Sequence, residues 1–226
     1  MTSESDTPKT MQSLVVSGYS QFSFQEAEEI ESHSYLLPAV RDAIGSAGAH
    51  CRVVDLGCGN GDLLSALKQP DWQAHGVDLS VSGVAEGRRR HREINFHQQG
   101  FDDSLIADLG AGHFDVVIST EVIEHLYAPR EICRVAFALL RPGGIFVVST
   151  PYHGYLKNCA LALTGKFDDH FTALKDCGHI KFWSYRTLAV LLGGAGFAGL
   201  KFRGAGRVPW LWKSMVVTAT KPSGKT

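Results

Sequence analysis

Three glycines at alternate positions, Gly57, Gly59 and Gly61, follow the apolar run Arg52–Leu56 and precede a helical pattern. Glycine permits a tight turn and lets a ligand approach the backbone where a Cβ would collide. The helix beyond offers unpaired N–H groups, and in an open α/β sheet the crevice at the strand carboxyl ends is where ligands bind. Asp55 stands two residues ahead of the first glycine. Its carboxylate repels a pyrophosphate and suits a cationic amino group. The spacing G-x-G-x-G also departs from the G-x-G-x-x-G of dinucleotide binders. Cys58 and Asn60 fill the intervening positions, Cys58 as a small loop residue rather than a nucleophile. Taken alone, the loop is equally a strand-to-helix turn without a ligand.

Two further acids extend the pattern. Asp78, followed by Leu79, ends a second strand pattern in GVDLS, where an acid accepts hydrogen bonds from ribose hydroxyls. Beyond the third strand pattern, Phe101 is placed to stack on a base. Asp102 either meets an adenine amino group or caps a helix, and both readings stand.

A second constellation follows the fourth strand pattern. Glu121, Glu124 and His125 fall at i, i+3 and i+4, one face of a helical turn. Two carboxylates and an imidazole at this spacing can hold Mg²⁺, Mn²⁺ or Zn²⁺, with a further ligand from His153, His170 or His179. Without a metal, His125 serves as a general base assisted by Glu124, and Glu121 contacts the ligand in the crevice.

The positioning elements read as alternating strands and helices. Strand patterns lie at Arg52–Leu56, Gln73–Val77, Ile94–Gln98, Phe114–Ser119, Gly144–Ser149, Leu200–Arg203 and Ser214–Thr220. Helical patterns start at Asp62 and cover Val81–Arg92, Arg130–Leu140 and Tyr185–Ala195, with Gly196 as C-cap. This alternation predicts an α/β fold, a doubly wound, mostly parallel sheet with helices on both faces. The last two strands lack a helix between them, so one edge strand is expected to be antiparallel. Residues 19–43 and 152–182 fall outside the alternation and read as a small helical lid. Residues 1–13 and 221–226 read as tails, leaving one domain over 14–220.

Composition narrows the partners. Twenty-two basic and 23 acidic residues give a net charge of −1, which argues against a nucleic-acid partner held by charge. Arg88–Arg92 is a basic run, read mainly as a solvated helix face. Five cysteines without a CxxC pair argue against a disulfide framework and for a reducing compartment. No apolar run reaches the roughly 18 residues of a membrane span, and MTSESDTPKTMQS lacks the marks of a signal peptide. The expectation is a cytoplasmic protein with a small-molecule substrate. Leu156–Leu163 is apolar enough to cover a lipid-like substrate, to make peripheral membrane contact, or to be a buried cap helix. Oligomeric state has no signature.

The ordered set VVDLGCGNG, GVDLS, QGFDD, FDVVISTEVIEHL and RPGGIFVVSTP resembles the class I methyltransferases that use S-adenosyl-L-methionine (SAM). It spans about residues 50 to 220. The resemblance implies a seven-stranded sheet with an antiparallel last strand, SAM in the glycine crevice and methyl transfer as the activity. The segment EVIEHL is similar to that of ubiquinone-biosynthesis O-methyltransferases, which act on a polyprenyl catechol. It is also similar to that of small-RNA 2′-O-methyltransferases, in which an ExxEH motif and a later histidine bind metal. The latter likeness selects His179 as the fourth ligand. A non-catalytic SAM-binding module is the remaining alternative, disfavoured by the intact acid–histidine cluster.

Overall fold

A computed structural model describes residues 26–45, 48, 50–171, 173–175 and 178–224. The expected tail 1–13, residues 19–25 of the expected lid, Cys177 and residues 225–226 lie outside the described residues. Helix α1 (Glu26–Ile44) precedes β1 (Arg52–Leu56), α2 (Asp62–Leu67), β2 (Gln73–Asp78), α3 (Val81–Arg90) and β3 (Ile94–Gln98). Then come α4 (Asp103–Leu109), β4 (Phe114–Thr120), α5 (Pro129–Leu139), β5 (Leu140–Pro151), α6 (Tyr155–Leu163), α7 (Phe167–Phe171), α8 (Tyr185–Gly194), β6 (Ala198–Ala205) and β7 (Ser214–Thr220).

The seven strands form one sheet in the order β3-β2-β1-β4-β5-β7-β6. Strands β1 to β5 pair in parallel, and β7 is antiparallel to both of its neighbours. The last strand is antiparallel, as expected, but it lies inside the sheet, and β6, paired antiparallel to it, takes the edge. Burial explains the exchange. Most side chains of SMVVTAT are buried, as a strand covered on both faces requires, whereas AGLKFRGA is largely exposed or half-buried.

Successive residues of a strand point to opposite faces. Val54 and Leu56 join one core with Leu105, Ile132, Leu139, Phe146, Leu188 and Leu192, beneath α4, α5 and α8. Val53 joins the other with Leu36, Val40, Leu64, Trp72, Val84 and Val216, beneath α1, α2 and α3. Each such large apolar side chain contributes roughly 1.5–3 kcal/mol on burial. Proline at the first position of α5 is compatible with helix initiation, since its missing N–H has no partner there in any case.

Several boundaries differ from expectation. Asp103–Leu109 is a helix that the apolar pattern did not show, and β5 begins at Leu140, four residues before Gly144. The turn expected to carry Glu121, Glu124 and His125 on one helical face is only a short 3₁₀ turn, Ile123–His125. Helix α1 is half layer, half rim. Leu36, Ala39, Val40 and Ile44 fill the core, while Tyr35 reaches the upper edge of the sheet, its hydroxyl 3.4 Å from Ser214 Oγ.

Candidate functional site

The glycine loop leaves β1 and turns directly over β2. The N–H groups of Gly57 and Cys58 both donate to the carbonyl of Val77, at 2.7 and 3.1 Å. Gly57 has φ 85°, and a Cβ there would lie 2.3 Å from Val122 Cγ2. Gly61 has φ 80°, and its Cβ would lie 2.5 Å from the ring of Phe96. Both positions therefore need glycine for conformation and for space. Asn60 is buried, and its side-chain oxygen accepts from the N–H of Asp62 at 3.0 Å, shaping the start of α2. Cys58 is buried with its sulfur against Gly76. Cys51, Cys58, Cys133 and Cys159 form no disulfide.

Asp55 is 1% exposed at the end of β1, and its Oδ1 has no hydrogen-bond partner. Burial, then the charge of Asp78, pushes its carboxyl up to about 7. An acid held this way favours a cation beside it. Asp78 closes on the loop, accepting from the N–H groups of Gly59 at 2.8 Å and Ser80 at 2.7 Å. Burial raises its pKa against those bonds. Leu79 is half-buried next to it. Phe101 is half-buried against the core, and Asp102 caps α4, accepting from the N–H groups of Ser104 and Leu105 at 3.0 and 3.2 Å. Those bonds fall on Oδ1.

Beyond β4, Glu121 adopts φ 54°, which takes it out of line with the 3₁₀ turn. Its carboxyl accepts from Ser149 Oγ at 2.8 Å and Ser214 Oγ at 3.1 Å. Burial pushes it up to about 7, against the pull of those hydroxyls and of Lys157. Glu124 is fully buried, and neither carboxyl oxygen has a hydrogen-bond partner. The Thr150 hydroxyl lies alongside without hydrogen-bond geometry. Burial, then the charge of Glu121, raises the Glu124 carboxyl well above the usual range.

The later histidine arrives from the segment 178–181, within the stretch expected to form a lid. The N–H groups of Ile180 and Lys181 both donate to the Glu124 carbonyl at 3.0 Å, pinning this segment to the turn. His179 Nε2 then lies 3.9 Å from Glu124 Oε1, and the rings of His125 and His179 are 4.8 Å apart. Burial, with the neighbouring His125 second, pushes His179 down to about 4, so its imidazole is neutral near pH 7. His125 Nδ1 is 3.3 Å from the carbonyl of Gly178. A neutral imidazole can present a ring nitrogen to a metal or a proton. Ligand atoms of Glu124, His125 and His179 all lie within 4.8 Å of one another.

Of the four residues expected to converge, three do so among the described residues, and Glu121 does not. The helical turn that would align Glu121 is absent, and serine hydroxyls from β5 and β7 engage its carboxyl. His153 and His170 stand apart, in an aromatic cluster with Phe171 and Phe182. Within the basic run, Arg88 donates to the Phe96 carbonyl, Arg89 to Glu86 and Arg90 to Asp62.

Four residues at the site were not singled out from sequence: Tyr35, Ser149, Lys157 and Ser214. Ser149 and Ser214 are the fully buried hydroxyls of otherwise apolar strands, a visible signal. Lys157 carried none, because a lysine in LKNCALAL reads as the polar side of a helix.

Comparison with known proteins follows the same lines. A family model described as "Methyltransferase domain" matches residues 21–201. The ubiquinone biosynthesis O-methyltransferase of Caulobacter sp. (strain K31) is 34% identical over 117 residues, covering 50% of this chain and 46% of the relative. The chain spans about half the length of the curated relatives it matches. Among solved structures, a SAM-dependent methyltransferase from Thermotoga maritima superposes with a TM-score of 0.64 at 17% identity, covering 92% of this chain and 99% of the other. An O-methyltransferase family protein from Burkholderia thailandensis gives 0.63 at 21% identity, covering 84% and 57%. At those identities the structural likeness establishes the fold alone.

Proposed function

The chain belongs to the methyltransferase-domain family, and we propose that it transfers the methyl group of SAM to an oxygen of a small molecule, of the prenylated catechol or quinol class. The observation that carries this reading is the contact between the two halves of the site. Val122 packs on Gly57, so the turn bearing Glu124 and His125 abuts the glycine loop. A base or metal site beside the cofactor crevice is what methyl transfer to a hydroxyl needs.

The residues fit the cofactor. The unpartnered Oδ1 of Asp55 suits the methionine amino group, and Asp78 keeps lone pairs for ribose hydroxyls. Gly57, Cys58, Gly59, Asn60 and Gly61 shape the crevice, Leu79 and Phe101 flank it, and Asp102 offers its second oxygen to the base. SAM supplies an electrophilic methyl carbon. The chain's task is to align the acceptor oxygen with that carbon, which is where most of the rate gain in such a transfer lies.

The residues also fit a metal. Two buried, unpartnered carboxyl oxygens on Glu124 and two imidazoles converge, and a divalent cation held there would lower the pKa of the acceptor hydroxyl. Without metal, His125 takes the proton. Residues 152–182 and the upper part of α1 would cover the acceptor. Tyr155, Leu156, Leu163 and Phe167 are exposed on α6 and α7, an apolar surface suited to a long-chain acceptor or to peripheral contact with its membrane. No helix among the described residues is long and apolar enough to cross a membrane. RNA as acceptor is disfavoured because the arginines of α3 are paired within the chain.

The test is a transfer screen with labelled SAM against catechols, quinols and short RNAs, with and without divalent metal. Label on a catechol or quinol oxygen is the expected result. Label on RNA alone, or on nothing despite SAM binding, would reject it.

A further inference from the structure

Lys157 stands out as a buried cation that the reading above does not use. It lies on α6, 6% exposed. Its one hydrogen bond among the described residues is a long one, from Nζ to the carbonyl of Lys213 at 3.3 Å. An ammonium has three N–H donors, and burying it with two of them idle is costly. Glu121 is close enough for each charge to favour the other. Yet no ion pair joins them among the described residues, and the Glu121 oxygens are taken by Ser149 and Ser214.

The surrounding charges sharpen the point. Arg207, on the β6–β7 connection, adds a second positive charge felt by Lys157 and by His170. Burial pushes His153 down to about 4 and lowers His170, so both are neutral near pH 7. The buried Lys157 ammonium thus keeps donors that one more negative group can take. Its place in the fold says whose. The cofactor crevice lies over β1 and β2, whereas Lys157 approaches the ends of β4, β5 and β7 through Glu121, Ser149 and Ser214. That is the acceptor side.

We infer that Lys157 binds a carboxylate on the methyl acceptor, so that the preferred substrates are aromatic acids bearing the reacting hydroxyl; this rests on the methyl-transfer reading. Lys157 orients the acceptor through that carboxylate and takes no part in bond making.

Two probes share a catechol and differ in the acid group: 3,4-dihydroxybenzoate and 4-methylcatechol. Their binding is measured by calorimetry, with and without S-adenosylhomocysteine (SAH), the demethylated product of SAM. The wild type should bind the benzoate at least about tenfold tighter, the scale of one charge-assisted contact of about 1.4 kcal/mol. Lys157→Met should erase that preference while leaving 4-methylcatechol and SAH binding in place, and Lys157→Arg should retain most of it. A melting temperature no lower in Lys157→Met than in wild type would show that the fold is intact. Equal binding of both probes by the wild type overturns the inference. So does a Lys157→Met protein that weakens SAH, since Lys157 would then serve the cofactor. Absence of SAH binding in the wild type counts against the methyl-transfer reading instead, while the probe pair without SAH still decides the role of Lys157.

Discussion

His179 Nε2 lies 3.9 Å from Glu124 Oε1, a buried carboxyl oxygen with no hydrogen-bond partner. The pair joins the segment before α8 to the turn after β4, and His125 completes the trio. Left as it is, the ionised carboxyl would be a charge buried without compensation. A divalent cation removes that cost. Equilibrium dialysis against Zn²⁺ or Mn²⁺ should show one bound ion, lost alike in Glu124→Gln, His125→Ala and His179→Ala, and chelator should abolish methyl transfer. Undiminished activity in chelator, with His125→Ala far more damaging than Glu124→Gln, would assign His125 as a base alone.

Asp55 gives a prediction with a definite sign. Its folded pKa of about 7 lies above the ordinary aspartate value of 3.8, so the folded protein binds the extra proton. Stability must then fall as pH rises between those two values, and the loss levels off above the folded pKa. Asp55→Asn should flatten this slope. The variant should melt higher than wild type at pH 8, with no such gain at pH 4, and should bind SAH poorly. Parallel melting curves for the two proteins across pH 4–8 would show that Asp55 is not held neutral by burial.

Gly57→Ala tests the junction between the two halves of the site. The new Cβ would meet Val122 Cγ2 at 2.3 Å, at a φ of 85°. Strain of both kinds should destabilise the fold by about 1–3 kcal/mol. Val122→Ala in the same chain should recover the steric part but not the backbone part. Chemical denaturation measures both. A fully stable single variant would mean that loop and turn are not in contact.

How much of this was legible in the sequence depended on the kind of signal. Strand and helix periodicities placed every strand to within a few residues, because β1, β4 and β5 each carry a short apolar, β-branched stretch (VV, VVI and IFVV). The interior place of β7 was not legible, since a hairpin connection fixes antiparallel pairing but not which strand lies outside. Glu124 and His125 stand out in the sequence because they are adjacent, and His179 only through a family likeness, since chain distance hides its place beside them. Glu121 falls outside this trio because spacing assumes a regular turn, and its positive φ breaks that assumption. Asp102 showed the cap that its residue type allows. Lys157 was invisible, because burial of a charged residue is a tertiary fact.

The lid offers a further check. Backbone bonds from Ile180 and Lys181 to Glu124 tie residues 178–181 to the site. Hydrogen exchange at Ile180 and Lys181 should slow further when SAH and acceptor bind together. Exchange unchanged by either ligand would count against the cover proposed for 152–182.

The most direct measurement is a calorimetric titration of SAH and of NAD into wild type and Asp78→Ala. The glycine loop, with Asp55 and Asp78 at its rim, is proposed to hold SAM and its product. SAH should bind the wild type at one site per chain, with affinity reduced at least about tenfold in Asp78→Ala, corresponding to about 1.4 kcal/mol, and NAD should not bind. Binding of NAD in place of SAH, or SAH affinity unchanged in Asp78→Ala, would contradict the assignment of this crevice.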